Sequence, residues 1–275
     1  MSKDQFEGCC LSVVIPVYNE ALTLAEVVVK TLVLEHLLEL IIVDDGSSDQ
    51  SPEVIRRLAG TDKRIRYFRH PQNLGKTAAL RTGFAMTTGS VVIVQDADLE
   101  CNPAEIPGVI KPILEGQADV VYGSRFLGRR VRGNGYLFHF VGNKFLTFVS
   151  NRLNRLSLTD LETCYKAFRG EIIRNMIIVS SGFGFEVEST AKIAKLKCIV
   201  HEVPVSYRGR SFEEGKKMHY SDGLQALWLL VRFNLFCSLR SSYHTNPETL
   251  RSTGGQDSSA AIGVNSSIPN LNENA

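Results

Sequence analysis

Five short apolar runs, separated by stretches with helical periodicity, constrain this chain more than any other feature. LSVVI (11–15), LELIIV (38–43), RIRYF (64–68), VVIV (91–94) and DVVYG (119–123) read as strands. Between them, residues 20–34, 52–59, 75–87 and 103–114 read as helices. Pro52 follows Ser51 and Pro103 follows Asn102; a proline suits a first helical turn because its missing N–H would be unpaired there anyway. Near-continuous apolar strands alternating with helices predict an α/β domain with a mainly parallel central sheet, covered on both faces. With 275 residues, 44% of them hydrophobic, the chain can bury such a core.

The second half differs. Residues 125–132 are basic and contain glycine, and YLFHFVGNKFLTFVSNRLNRL (136–156) is a long helical pattern. A helix near 186–196, a strand in CIVHEVPVSY (198–207) and a helix in LQALWLLVRFNLFCSL (224–239) follow. From about residue 241 serine, asparagine, threonine and glycine dominate, which predicts a disordered tail over 241–275. The expected division is an extension (1–10), one domain (11–240, in halves 11–125 and 126–240) and that tail. A net charge of +2 is too small to mark a nucleic-acid binder. The six cysteines include no CxxC pair and no zinc spacing, so the expectation is a reduced, cytosolic protein. MSKDQFEGCC has no signal-peptide pattern. No segment reaches the roughly 20 apolar residues of a spanning helix; the 224–239 run is short and contains Arg232 and Asn234.

Three of the strands end in acid. IIVDDGSSD places Asp44, Asp45 and Asp49 after the second, SVVIVQDADLE places Asp96, Asp98 and Glu100 after the fourth, and VVIPVYNE ends the first with Pro16, Tyr18 and Glu20. In open α/β sheets ligands bind beyond the carboxyl ends of the strands. Carboxylates packed there repel one another unless a cation sits among them, and a hard divalent ion such as Mg²⁺ or Mn²⁺ takes oxygen ligands together with phosphates. Taken singly, Asp-x-Asp is also a common helix-capping turn, and DDGSSD is a turn by composition.

VVIPVYNEALTL, IIVDDGSSD, NLGKTAALRTGF, QDADLECNP and DVVYGSRF resemble, in order, the motifs of family-2 glycosyltransferases of the GT-A fold. DLETCYKAFR (160–169), GFGFEVESTAKIAK (182–195) and VPVSYRGRSFEEGKKMHYSDGLQALW (203–228) are similar to the polyprenyl-phosphate glycosyltransferases, the group of dolichol-phosphate mannose and glucose synthases. The resemblance covers about 11–236. It implies that Pro16, Tyr18 and Glu20 line a nucleotide pocket, that Asp45 reads the base while Asp44 supports the turn, and that Asp96, Asp98 and Glu100 hold Mg²⁺ or Mn²⁺ against the diphosphate of a nucleotide sugar. Glu100 stands where dolichol-phosphate mannose synthases commonly carry glutamine. Lys76 is either a diphosphate contact or an exposed lysine at a helix start.

A phosphate acceptor is already an anion and needs positive charge rather than a general base. Arg125, Arg208, Arg210, Lys216 and Lys217 are the candidates, because guanidinium forks and ammonium groups grip phosphate; Glu213 and Glu214 are local counter-charges. Asp160 either faces the sugar or orients the acceptor phosphate, or else caps the following segment. Glu188 is its weaker companion, and only one of Glu186 and Glu188 faces the site if the backbone there is extended. The implied reaction is inverting transfer of a hexose, of the UDP-glucose or GDP-mannose type, to a polyprenyl phosphate. Phe138, Val141, Phe145, Phe148 and Val149 beside Lys144, Arg152 and Arg155, with Arg129, Arg130 and Arg132 before them, fit an amphipathic helix on an anionic membrane; Trp228, Phe233 and Phe236 could lie beside it. A sheet-covering role or a homo-oligomer interface is the plainer alternative. Three other functions remain open: transfer to a soluble or protein acceptor with Asp160 or Glu162 as base, a nucleotidyltransferase, and a non-catalytic nucleotide-sugar scaffold. IPVYNE lacks the glycine-rich, basic loop of the second.

Overall fold

The computed structural model describes residues 8–127, 137–209 and 220–251, with the side chains of 137–139 and 220–222 outside that description. Strands β1 (Leu11–Val17), β2 (Leu37–Asp44), β3 (Ile65–Arg69), β4 (Val91–Val94), β5 (Val120–Ser124), β6 (Lys166–Arg169) and β7 (Val200–Pro204) join in one sheet ordered β3-β2-β1-β4-β6-β5-β7. β6 runs antiparallel to β4 and β5; the other pairings are parallel.

The expected helices form as α1 (Leu24–Leu32), α2 (Ser51–Ala59), α3 (Lys76–Met86) and α4 (Ile106–Leu114), the last preceded by a 3₁₀ turn, Pro103–Glu105, in which Asn102 accepts the Ala104 N–H. Further along lie α5 (Leu137–Asn154), α6 (Gly170–Asn175), α7 (Phe185–Leu196), α8 (Tyr220–Leu235) and α9 (Pro247–Leu250). Because side chains alternate across a strand, Val13, Ile15, Leu40, Ile42, Val91 and Ile93 pack on the face covered by α1, α2 and α4. Val14, Ile41, Val43, Val92 and Val94 pack on the opposite face with α3, α6 and α7. A smaller cluster joins α5, α7 and α8 through Leu146, Val187, Ala191, Leu230 and Phe233.

One strand is unmarked in the sequence, and three expectations are corrected. KAFR is a central strand that hydropathy hides because its ends are charged, and the fold satisfies them: the Lys166 ammonium donates to the Leu161 and Thr163 carbonyls, and Arg169 pairs with Asp119 at 2.7 Å. The tail does not begin at 241. Tyr243 and Leu250 are buried, Tyr243 bridges Met176, and Asn246 caps α9; residues 252–275 lie outside the described residues. The cysteines are not all thiols, since Cys101 and Cys164 form a disulfide. They are 63 residues apart in sequence, and only the antiparallel pairing of β4 with β6 brings their segments together. Finally, residues 185–188 are helical, so the alternation argued for an extended backbone does not apply.

Among the described residues, no helix is long and apolar enough to cross a membrane. Val141, Phe145 and Phe148 of α5, and Leu224, Trp228 and Leu235 of α8, are exposed, with Phe236 just beyond. Phe138, Arg129, Arg130 and Arg132 belong to the part whose side chains are not described.

Candidate functional site

The sheet order places β2, β1 and β4 side by side and parallel, so their acidic ends meet at one edge. The loops there are knitted together. The Asn19 side chain accepts the backbone N–H of Ser48 and Asp49, Asp49 accepts the N–H of Ala21, and Thr23 Oγ1 donates to the Ala97 carbonyl at 2.7 Å. Asp44 accepts the Ser47 N–H and pairs with Arg69, which fixes the turn after β2. Asp45 accepts from His70 Nδ1 and from the N–H groups of Leu74 and Gly75, so its carboxylate shapes the loop before α3.

Behind these loops lies a cavity of about 350 Å³ lined by Pro16, Tyr18, Glu20, Asp45, Lys76, Asp96, Asp98, Glu100, Arg125, Glu162, Glu186 and Tyr207, among others. Gly75 makes one wall possible: its φ is +92°, and a Cβ there would stand 3.1 Å from the Gly182 nitrogen. Thr77 completes the junction by donating to the Gly182 carbonyl and accepting the Phe185 N–H, which sets the first turns of α3 and α7 face to face. Lys76 consequently lies 2.9 Å from Asp96 and 3.5 Å from Glu186. Burial pulls its proton affinity down, but the Asp96 and Glu186 carboxylates more than offset that and keep the ammonium charged.

On the opposite wall Arg125 forms a fork with Asp160, at 2.7 Å from Nε and 2.8 Å from Nη2, while Nη2 also donates to the Glu162 carbonyl. The guanidinium lies over the Tyr207 ring at 5.0 Å. Asp160 is fully buried beneath it and accepts from Asn143 of α5 as well. Burial acts to raise the Asp160 pKa, and the Arg125 charge outweighs it, so the carboxylate stays ionised below its usual range.

Residues 12–177 match the family model of the glycosyl transferase family 2. The chain belongs to that family. An undecaprenyl-phosphate 4-deoxy-4-formamido-L-arabinose transferase of Photorhabdus laumondii is 32% identical over 211 residues, which cover 75% of this chain and 62% of that protein. The Proteus mirabilis protein of the same name is 36% identical over 172 residues, 61% of this chain and 51% of that one. The chain thus spans less than two thirds of the length of these curated relatives. Among solved structures, glucosyl-3-phosphoglycerate synthase from Mycobacterium tuberculosis, in complex with Mn²⁺, uridine diphosphate and phosphoglyceric acid, superposes with a TM-score of 0.65 at 22% identity, covering 85% of this chain and 81% of that one. At that identity the likeness establishes the GT-A-type fold.

In this family-2 glycosyltransferase the expected donor-side residues, Pro16, Tyr18, Glu20, Asp45, Lys76, Asp96, Asp98 and Glu100, all line the one cavity, with Asp44 just behind the wall. The three acidic residues do not form a ready metal cage. Among the described residues no group of three or more His, Cys, Asp or Glu has a metal-holding arrangement: Asp96 faces Lys76, Asp98 accepts the Glu100 N–H, and Glu100 accepts from the Tyr207 hydroxyl at 2.6 Å. Two acceptor-side expectations change. Asp160 does not face the cavity; it is buried under Arg125 and positions it. Glu188 is also fully buried, where it pairs with Lys192 and accepts the N–H of Val179 and Ser180, so it belongs to the scaffold and has no part in orienting sugar or acceptor. Arg208 is exposed, its N–H donating to the Glu100 carbonyl. Arg210, Lys216 and Lys217 lie outside the described residues.

Sequence reasoning left Glu186 as the alternative to Glu188, and named Glu162 only as a possible base. Glu162 sits in the cavity wall with its pKa pushed up to about 7, by burial first and by Glu186 second, against the opposing pull of Lys166 and Arg125. A carboxyl near 4.5 in the unfolded chain and near 7 when folded takes up a proton on folding between those values. That stabilisation is complete below pH 4.5 and is lost as pH rises through 7. Thermal melts from pH 5.5 to 8 are therefore expected to show a Tm fall that Glu162→Gln flattens by about 2–4 °C per kcal/mol of lost linkage; parallel profiles for the two proteins would refute the shift.

Proposed function

We propose that this glycosyltransferase moves a sugar from a nucleoside-diphosphate donor to a polyprenyl phosphate. The observation that carries this reading is the two-sided cavity: carboxylates and Lys76 at the ends of β1, β2 and β4 on one side, and Arg125 held by Asp160 on the other. The undecaprenyl-phosphate acceptor in the names of the relatives supports the same acceptor class here. Tyr18, Glu20 and Asp45 line the part of the cavity beside β1 and β2, where a nucleoside fits. Arg125 offers the acceptor phosphate a guanidinium whose Nη1 makes no hydrogen bond among the described residues. Held there, a phosphate oxygen attacks the anomeric carbon from the face opposite the leaving group. The new carbon–oxygen bond forms as the bond to the diphosphate breaks, with inversion, and the nucleoside diphosphate leaves with the electron pair.

The donor set also fits a divalent cation. Asp98 with Asp96 or Glu100 provides hard carboxylate oxygens, and Mg²⁺ or Mn²⁺ needs only one or two of these when phosphates and water complete its shell. When bound, the cation supplies charge that stabilises the leaving diphosphate. The exposed apolar residues of α5 and α8 support a peripheral seat on the bilayer that holds the acceptor.

One observation favours a second reading. Glu162 lines the cavity beside Arg125, and a carboxyl whose pKa is raised by burial and by Glu186 is suited to take a proton from an acceptor hydroxyl. A screen of UDP- and GDP-sugars with a short polyprenyl phosphate, with the matching alcohol as control, decides between them. Transfer to the phosphate alone is expected; transfer to the alcohol would favour the Glu162-base reaction, and donor consumption without lipid product would reject the polyprenyl acceptor.

A further inference from the structure

Glu162 and Glu186 stand between the two anchors of the cavity. Glu186 is 3.5 Å from Lys76, whose ammonium holds Asp96 on the diphosphate side, while the backbone carbonyl of Glu162 accepts from Arg125 on the acceptor side. The group that is transferred must occupy the space between them. Glu186 is 94% buried, following from its 6% exposure, and both side chains line the cavity. Glu162 Oε1 and Glu186 Oε2 are shielded from solvent and accept no hydrogen bond among the described residues. A buried acceptor without a donor is destabilising, and two acidic groups facing one volume repel a third anion.

Resting on the nucleotide-sugar reading, we propose that Glu162 and Glu186 are the specificity-determining residues for the transferred sugar, accepting hydrogen bonds from its hydroxyl groups and rejecting sugars that carry a carboxylate. The two carboxyl groups, each with one oxygen that no donor satisfies among the described residues, are then the receptor for a neutral, hydroxyl-bearing ring. The other charged groups facing the pair are Lys76, Lys166, Arg125 and Asp160. The Lys166 ammonium donates to backbone carbonyls, and Arg125 and Asp160 engage each other, so these groups leave the two carboxyl oxygens for the ligand.

The test is equilibrium binding in the presence of Mn²⁺, comparing UDP, UDP-glucose and UDP-glucuronate, and GDP with GDP-mannose. The measured quantity is the affinity gained or lost when the sugar is added to the nucleotide. The wild-type protein is expected to bind at least one neutral sugar nucleotide more tightly than its bare nucleotide, and UDP-glucuronate more weakly than UDP. Glu162→Met keeps the side-chain length and removes the acceptor; it is expected to erase about 10- to 100-fold of the sugar increment while bare-nucleotide affinity holds. Glu162→Gln, which retains one acceptor oxygen, should keep part of the increment and admit UDP-glucuronate. Glu186→Met should also lose the increment, with some loss of bare-nucleotide affinity through Lys76. An unchanged increment in Glu162→Met, or an equal loss for sugar nucleotide and bare nucleotide, would overturn the assignment, the second result marking a merely structural role. Loss of turnover on an alcohol acceptor with the binding increment intact would overturn it in favour of a base. If neither UDP nor GDP binds the wild-type protein, the nucleotide-sugar reading itself falls, and this inference with it.

Discussion

Asp98→Ala is expected to lower sugar transfer by about three orders of magnitude, equivalent to ~4 kcal/mol of transition-state stabilisation, while leaving the fold intact. Asp98 lies on the loop beyond β4, where it is half-buried and its Oδ1 accepts the Glu100 N–H at 3.1 Å. It makes no contribution to either hydrophobic face of the sheet. Its loss therefore removes a local turn bond and a hard oxygen ligand, and the stability change should stay within about 1 kcal/mol. The functional loss is larger because the departing diphosphate develops charge beside a loop whose other two acids, Asp96 and Glu100, are already engaged by Lys76 and Tyr207. Steady-state transfer assays alongside thermal melts check both halves of the statement. Turnover close to wild type would reject the assignment of the acidic loop to donor activation; a collapsed Tm would show instead that the loop is structural.

Removing the carboxylate in Asp160→Ala should destabilise the protein by about 3–5 kcal/mol, the cost of leaving one member of a buried ion pair alone. Arg125 would lose both arms of its fork and Asn143 its acceptor, at a position where the Asp160 side chain is fully shielded from solvent. The pair is not expected to be a net source of stability, because well-packed apolar residues of similar volume often do as well. The double variant Arg125→Met/Asp160→Leu is therefore expected to recover most of the stability lost in Asp160→Ala. It should not recover transfer, since the guanidinium that faces the acceptor is gone. Urea unfolding gives the first quantity, and the acceptor KM and kcat give the second. A double variant that is stable and fully active would remove Arg125 from the acceptor site; an Asp160→Ala protein as stable as wild type would contradict the buried pairing.

Much of this acidic edge of the sheet was legible in the sequence. Strands that are buried on both faces must be apolar throughout, so VVIV and LELIIV stand out from their surroundings, and the acids that end them can be tolerated only where the strand leaves the core. Lys76 was recognisable as a residue at a helix start near that edge, although its partners, Asp96 at 20 residues' distance and Glu186 at 110, were not. KAFR was invisible because a four-residue central strand with charged ends carries almost no periodic signal, and its Lys166 and Arg169 are neutralised only by groups that the fold delivers. Tyr243 and Leu250 were missed for a related reason: two apolar anchors are lost in a polar window, although burial of both ties the chain to α6 and α7.

Asp160 shows most plainly what composition cannot say. A carboxylate in DLETCYKAFR looks the same whether it touches a ligand or lies beneath the residue that does, and the difference is its complete burial against Arg125, 35 residues away. By itself the sequence determined the α/β class, the edge of the sheet where ligands enter and the acidic character of that edge, because these follow from local periodicity and from where charge can leave a core. The tertiary structure alone decided which acids face the cavity, which of them are spent on a neighbouring cation, and that Glu162 and Glu186 share one wall. Those outcomes depend on the antiparallel insertion of β6 and the junction of α3 with α7 at Gly75 and Gly182, which are long-range contacts that no local pattern records.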